Sequence, residues 1–436
     1  METGQGRLVD LSPEQNKAFL VGTYQQTSTK ATCIEQLSEL ESLCETYGLK
    51  VVGSIACPIK SYESATFVGK GKVQEIVSLA KESGADVVIF DDEISPQQQR
   101  NLEQAFEKTT VDRTELILGV FAQRARSREA RIQVELATLR YQMPRLRRMW
   151  THLSRQRSGG GGGSGGGYVR GEGEKQIEID RRLLRRRLDR LEVELKTVKQ
   201  TRDTQRGARK RSGIATFAII GYTNAGKSTL MRALTDADVL VEDKLFATLD
   251  TTTRKYLLPN KQEILLIDTV GFIRKIPHLL VASFKSTLEE AVQADILLHV
   301  IDVSSPTVEM QVESTLSVVK ELGAEELPMI YVLNKIDQCS DRSIANRMRL
   351  TYPRTVEISA VEKEGFDLLL ELMMSEIAKL RKRVRLRIPQ SHYVLVSELM
   401  REGKVISCEY EGDDVVLEVE IPCILEKKVA LFEVSL

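Results

Sequence analysis

No two cysteines in this sequence are spaced to share a metal or a redox centre. The six (Cys33, Cys44, Cys57, Cys339, Cys408 and Cys423) are scattered, without a C-x-x-C pair. That excludes zinc-ribbon and thioredoxin-like chemistry and points to reduced thiols. Histidine is also scarce, and His152, His278, His299 and His392 stand apart from one another, so structural roles are expected for them. No apolar run reaches the roughly 18 residues that a spanning helix needs. The stretch from Met1 to Leu11 has no basic flank leading into an apolar core, so a soluble, unexported, cytoplasmic protein is expected. Net charge is missing as well, with 62 Lys and Arg against 62 Asp and Glu. Its distribution is uneven: residues 123–211 hold 25 basic and 10 acidic side chains, net +15, leaving −15 for the remainder. One basic segment flanked by acidic ones suits a chain in which a single element meets a polyanion.

What the sequence does contain is best read from Gly221-Tyr222-Thr223-Asn224-Ala225-Gly226-Lys227-Ser228. This G-x-x-x-x-G-K-S stretch follows a strand-like run, Ile214 to Ile220, and opens a helix-like one, Thr229 to Leu234, which is the context a phosphate-binding loop requires. Its backbone N–H groups can wrap phosphates, Lys227 adds a point charge and the Ser228 hydroxyl can ligate Mg²⁺. Downstream, Ile264 to Ile267 reads as a buried strand ending in Asp268-Thr269-Val270-Gly271. There a carboxylate can reach the magnesium through water and the Gly271 N–H can sense a γ-phosphate. Another strand, Met329 to Leu333, ends in Asn334-Lys335-Ile336-Asp337, with Asp337 placed to accept both N–H groups of a guanine edge. Adenine lacks that donor pair and would leave the carboxylate unpaired. Val356 to Ile358 then leads to Ser359-Ala360-Val361, whose backbone can hold the guanine O6. The ordered set predicts a GTP site. Phe246-Ala247-Thr248-Leu249-Asp250, continuing into three further threonines, is the expected mobile loop whose threonine completes Mg²⁺ coordination; four threonines compete for that role. Phe272 follows the D-x-x-G motif where many GTPases carry a water-orienting glutamine, so the catalytic group is unassigned and slow intrinsic hydrolysis is expected.

A length of 436 residues allows two to four domains. The expected fold class is α/β: a small α/β N-terminal part (1–122), a basic two-helix hairpin with a glycine-rich tip (123–211), a doubly wound phosphate-loop GTPase domain (212–380) and a small α+β appendage (381–436). In the first part, strand-like and helix-like runs alternate, which argues for a small parallel sheet. Gly69-Lys70-Gly71-Lys72 reads equally as a tight turn or an anion-holding helix start, and Asp91-Asp92-Glu93 as a solvated strand end before a helix starting near Ser95-Pro96. In the hairpin, Ile132, Leu136, Leu139, Met143, Leu146, Trp150 and Leu153 form one seam, and Ile177, Leu184, Leu188, Leu191, Leu195 and Val198 another. Pro144 should kink the first arm. Arg145, Arg147 and Arg148 on that arm, and Arg181, Arg182, Arg185, Arg186 and Arg187 on the second, are candidates for gripping RNA phosphates, since arginine rather than a Glu/Lys mixture dominates the polar faces.

The motifs GYTNAGKST (221–229), FATLDTTTR (246–254) and DTVGFIRKIPHLLVASFKSTLEE (268–290) resemble those of the HflX GTPases, as do FVGKGKVQEI (67–76), VVIFDDEISPQQQRNLE (87–103) and FAQRARSREARIQVELATLRYQMPRL (121–146). The resemblance spans nearly the whole chain, and ordinary GTPases lack the N-terminal motifs. It implies a monomeric ribosome-associated GTPase that binds the large subunit and its rRNA through the N-terminal part and hairpin, and that dissociates stalled 70S ribosomes. It further implies that Thr248 is the magnesium-ligating threonine and that Asn224 matches the asparagine with which potassium-stimulated GTPases ligate K⁺. Two departures stand out: the tip is stretched to Ser158–Gly173, with Glu172 where proline is common, and Asp250-Thr251 replaces Asp-Pro. The competing expectations are a switch that binds a protein effector and an RNA-remodelling NTPase acting away from the ribosome.

Overall fold

The computed structural model describes residues 16–146, 169–211, 214–235, 245–246, 251–275, 293–339, 341–422 and 425–434. Its contacts divide the chain into two compact units. Unit 1 spans Met1–Thr197 and also takes in the short segments Glu242–Asp250 and Lys275–Lys285; unit 2 holds the rest.

Unit 1 is built on four parallel strands, β1 (Lys17–Tyr24), β2 (Lys50–Pro58), β3 (Val87–Phe90) and β4 (Thr109–Asp112), in the order β2-β1-β3-β4. The connecting helices are α1 (Lys30–Tyr47), α2 (Lys70–Glu82) and α3 (Pro96–Phe106), followed by α4 (Arg113–Arg124) and α5 (Arg128–Gln142). Local chemistry fixes their starts. Ser95 and Gln98 form a capping box with Pro96 in the first turn of α3, while Asp112 caps α4 and Ser127 caps α5. The glycine-lysine stretch is the plain start of α2, with Gly69 as its N-cap. The core between sheet and helices draws on Phe19, Val21, Ile76, Val88, Phe90 and Leu102, all buried.

Two expectations are corrected here. Asp91 is not solvated: it is 1% exposed, because the guanidinium of Arg113, which lies 2.7 Å away and also meets Glu39 at 2.5 Å, turns inward to pair with it. Lys275, carried by one of the short segments, adds a contact to Asp91 at 2.9 Å and another to Asp92. Nor does Arg145 face solvent as a phosphate contact must. It is 7% exposed, donating to Gln99 Oε1 (3.0 Å), the Ile94 carbonyl (2.7 Å) and Asp112 (3.4 Å), and its guanidinium stacks 3.7 Å from the Tyr141 ring. A buried carboxylate at Asp112 needs that partner, and withdrawing it for RNA would strand a charge.

After α5 the chain passes through a short 3-10 turn, Met143–Arg145, containing Pro144, which ends the regular helix. The second arm is α6, Val169–Arg211, 43 residues and so about 65 Å long at 1.5 Å per residue. It starts earlier than expected, taking in Gly171 and Gly173; each glycine weakens a helix by about 1 kcal/mol without forbidding it, and a long helix propagates through such a cost. Within unit 1 the arms run antiparallel, as Arg128–Glu194 (2.6 Å) and Glu135–Arg187 (2.7 Å) show. Leu191 is buried on α6 and Leu184, Leu188 and Leu195 are half-buried, whereas Leu183 and Val193, off the seam, are exposed.

Unit 2 contains a six-stranded sheet of β5 (Ala215–Gly221), β6 (Thr252–Leu257), β7 (Glu263–Asp268), β8 (Ile296–Asp302), β9 (Met329–Asn334) and β10 (Thr355–Glu357), ordered β10-β9-β8-β5-β7-β6. Only the edge strand β6 is antiparallel. Helices α7 (Lys227–Thr235), α8 (Val308–Glu321), α9 (Arg342–Thr351) and α10 (Phe366–Lys379) follow its strands. Apolar faces of β5 and β7 to β10 pack on α7 and α10 through Phe217, Ile219, Leu230, Leu266, Leu298, Val332 and Met373. The C-terminal part adds an antiparallel sheet of β11 (Arg381–Pro389), β12 (Lys404–Glu411) and β13 (Asp414–Pro422), ordered β11-β13-β12, beside α11 (Tyr393–Glu402). Among the described residues no helix is long and apolar enough to cross a membrane.

Candidate nucleotide site

Four strands deliver the motifs. β5 ends at Gly221, β7 at Asp268, β9 at Asn334 and β10 at Glu357, so the phosphate loop, D-x-x-G, N-K-x-D and Ser359-Ala360 all leave the carboxyl edge of one sheet, where α/β sheets bind ligands.

The loop from Gly221 to Ser228 turns sharply, with Asn224 at φ 61° and Gly226 at φ 94°. At Gly226 an added Cβ would lie 2.2 Å from Asn334 Nδ2, so only glycine fits there. Lys227 begins α7, and its ammonium is buried and donates to the Tyr222 carbonyl at 2.6 Å. Burial pushes its pKa down to about 8, with the Asp268 carboxylate pulling the other way. Ser228 Oγ donates to Asp268 Oδ2 at 2.8 Å. A hydroxyl and a carboxylate held together at a helix N-terminus form an all-oxygen pair, the donor chemistry that Mg²⁺ takes. Thr269 is fully buried and donates to the Ile219 carbonyl at 2.7 Å; Val270 is buried as well, and Gly271 lies against Lys227 and Thr223.

On the base side, Asn334 joins two loops: its Nδ2 donates to the Ala225 carbonyl (2.8 Å) and its Oδ1 accepts from the Ala360 N–H (3.0 Å). Lys335 takes a left-handed conformation, φ 65°, and pairs with Asp302 at 2.7 Å. Ile336 and Asp337 lie in a 3-10 turn, and Asp337 is exposed, so any desolvation cost at its carboxylate would arise only under a bound base. Ser359 and Ala360 are buried, while Val361 is 69% exposed. Asp302, at the end of β8, goes beyond the motifs and could have been flagged by its strand-end position. Tyr222 lies within the phosphate-loop motif, but the contact of its Oη, which accepts from the Arg274 N–H at 2.9 Å, carried no sequence signal.

Other predicted site residues belong to unit 1 or fall outside the described residues. Phe246 belongs to unit 1, where it packs edge-on to Phe121 with ring centres 4.5 Å apart. Ala247, Thr248, Leu249 and Asp250 lie outside the described residues, as do Arg147 and Arg148. Phe272 is 1% exposed and offers no polar group to water. His299 is buried, with a pKa lowered to about 3 by desolvation and then by Lys227, so it stays neutral. On α6, Arg181, Arg182, Arg185 and Arg186 are exposed, and Arg187 is held by Glu135. No cluster of His, Cys, Asp and Glu able to hold a metal by itself occurs among the described residues.

Three family models match the sequence: a GTP-binding GTPase N-terminal region over residues 34–122, a GTP-binding GTPase middle region over 124–209 and a 50S ribosome-binding GTPase over 216–335. Relatives named GTPase HflX extend over nearly the full length. The one from Chlamydia pneumoniae is 47% identical over 416 residues, covering 95% of this chain and 88% of its own. Those from Akkermansia muciniphila and Escherichia coli are 45% and 40% identical, covering 95% and 94% of this chain and 96% and 94% of their own.

Proposed function

We propose that this chain, which belongs to the HflX family of GTPases, couples GTP hydrolysis to docking on the large ribosomal subunit and separates stalled 70S particles. The observation that carries this reading is the pairing of four guanine-nucleotide motifs on one sheet edge with a 43-residue helix whose exposed face bears Arg181, Arg182, Arg185 and Arg186. Arginine grips phosphate bidentately and suits an rRNA backbone.

In this reading the N–H groups opening α7 and the Lys227 ammonium bind the β- and γ-phosphates, the Gly271 amide senses the γ-phosphate, and Asp337 selects guanine. Ser228 and Thr248 would hold Mg²⁺, with Asp268 orienting Ser228; the ion, when bound, neutralises charge that builds on the phosphates. Asn224 is the group that would meet a K⁺. Since Phe272 cannot orient water, hydrolysis idles until the ribosome completes the site. The protein works in the cytoplasm as a monomer. The four-part division at residues 122, 211 and 380 assigns ribosome contact to the first two parts and timing to the third.

Sedimentation with purified large subunits, with a non-hydrolysable GTP analogue or GDP, tests the reading. Co-sedimentation is expected with the analogue and not with GDP, and the turnover of GTP should rise when subunits are added. Binding that ignores the nucleotide would sink it and favour a constitutive RNA-binding role.

A further inference from the structure

We propose that Tyr222 is a positioning residue for GTP hydrolysis, whose phenol holds the γ-phosphate-sensing segment against the phosphate loop. The inference rests on GTP being the substrate, and is independent of any ribosome contact.

Tyr222 works from both ends. Its carbonyl accepts from the Lys227 ammonium at 2.6 Å, and its hydroxyl, on a side chain that is 6% exposed, accepts from the Arg274 N–H at 2.9 Å. Two residues before Arg274, the backbone of Phe272 is bonded to the same loop: its N–H donates to the Gly221 carbonyl at 3.0 Å and its carbonyl accepts from the Thr223 N–H at 2.7 Å. Tyr222 and Phe272 thereby pair like adjacent parallel strands. Gly271, immediately before this clamp, lies so close to the loop that an added Cβ would come within 2.9 Å of both Lys227 Nζ and Thr223 Cγ2.

The loop atoms used by the clamp, those of Gly221, Tyr222 and Thr223, precede the amides from Asn224 to Ser228 that cradle phosphates, so clamp and nucleotide do not compete. In many GTPases the side chain after D-x-x-G contributes to hydrolysis. Here that side chain is an interior phenylalanine, and the position of the segment depends on its backbone and on the phenol. Phenylalanine removes the hydroxyl that accepts from the Arg274 N–H and keeps the ring packing.

The test compares the native full chain with Tyr222→Phe, without ribosomes, using GDP titration, single-turnover GTP hydrolysis, thermal unfolding and amide exchange at Arg274. Single-turnover hydrolysis is expected to fall about tenfold, the order expected when one buried hydrogen bond is removed. GDP affinity should stay within twofold, and the Arg274 amide, protected in the native chain, should exchange faster in the variant. Hydrolysis within twofold of native overturns the proposal, as does an Arg274 amide without protection in the native chain. GDP affinity and melting temperature falling together with hydrolysis also overturn it, because Tyr222 would then only support the fold. A native chain that failed to bind GDP would instead strike at the nucleotide assignment.

Discussion

Lys227 is the residue whose protonation ties folding to ligand binding. Its pKa, driven down to about 8 by burial, sits below the 10.5 of an unperturbed lysine. Between those values the folded, nucleotide-free chain binds fewer protons than the unfolded one, so this residue makes stability rise with pH across that window; below about 8 both states are charged and the burial penalty stays in full. A phosphate beside the ammonium restores its preference for the proton. Nucleotide binding at about pH 8.5 should therefore take up a fraction of a proton, which calorimetry in two buffers of different ionisation enthalpy can read; heats independent of buffer would contradict it. Asp337 supports a second residue-level prediction. Replacing it with asparagine exchanges an acceptor for a donor, so Asp337→Asn should lower GTP affinity by at least about a hundredfold, as fits removal of a charged hydrogen-bond acceptor, and gain xanthosine triphosphate. Titration of both nucleotides decides, and undiminished preference for GTP would remove Asp337 from base recognition. Motif spacing makes these two residues legible in the sequence. It cannot do so for Arg145: an arginine beside Arg147 and Arg148 looks like part of a basic face, and only the tertiary placement of Asp112, Gln99 and the Ile94 carbonyl turns it inward.

At the scale of elements, α6 carries most of the proposed RNA contact. Its seam is readable because heptad-like spacing survives a helix of any length, and Leu184, Leu188, Leu191 and Leu195 are its less exposed leucines. Its start is not, because glycine at positions 171 and 173 reads as loop. Strand β11 is hard to read for a related reason: its alternation of Arg383, Arg385 and Arg387 with buried Val384, Leu386 and Ile388 resembles a basic tail unless the two-residue period is noticed. Two arginines of β11 are engaged by carboxylates, Arg383 with Glu418 and Arg387 with Glu411 and Asp414, whereas Arg181, Arg182, Arg185 and Arg186 are exposed on α6. Changing those four to glutamine should lower subunit-stimulated turnover at least about tenfold, the scale set by several phosphate interactions, and leave unstimulated turnover unchanged. Equal reduction of both activities would mean that α6 serves the fold.

At the scale of the whole molecule, a neutral protein with a segment of net +15 should bind RNA in a strongly salt-dependent way while avoiding the non-specific adhesion of a uniformly basic chain. Large-subunit affinity should fall steeply with ionic strength, and the four-arginine variant should reduce the slope of log affinity against log salt by about one unit for each phosphate it no longer meets. An unchanged slope would place the RNA-binding face elsewhere. The α/β class of the chain follows from alternating strand and helix runs with a helix start such as Ser95-Pro96. The assignment of Phe246 to unit 1, where it packs on Phe121, does not, because nothing local to FATLD encodes a partner more than a hundred residues away.

Asn334 reaches the Ala225 carbonyl with one side-chain atom and the Ala360 amide with the other. The loop that would grip phosphates and the loop that would read the base thus share one peg, and neither can loosen without pulling on it. Nucleotide release is then expected to proceed as one event, and a partner that pries at residues 359 and 360 should weaken the hold on the phosphates without touching them.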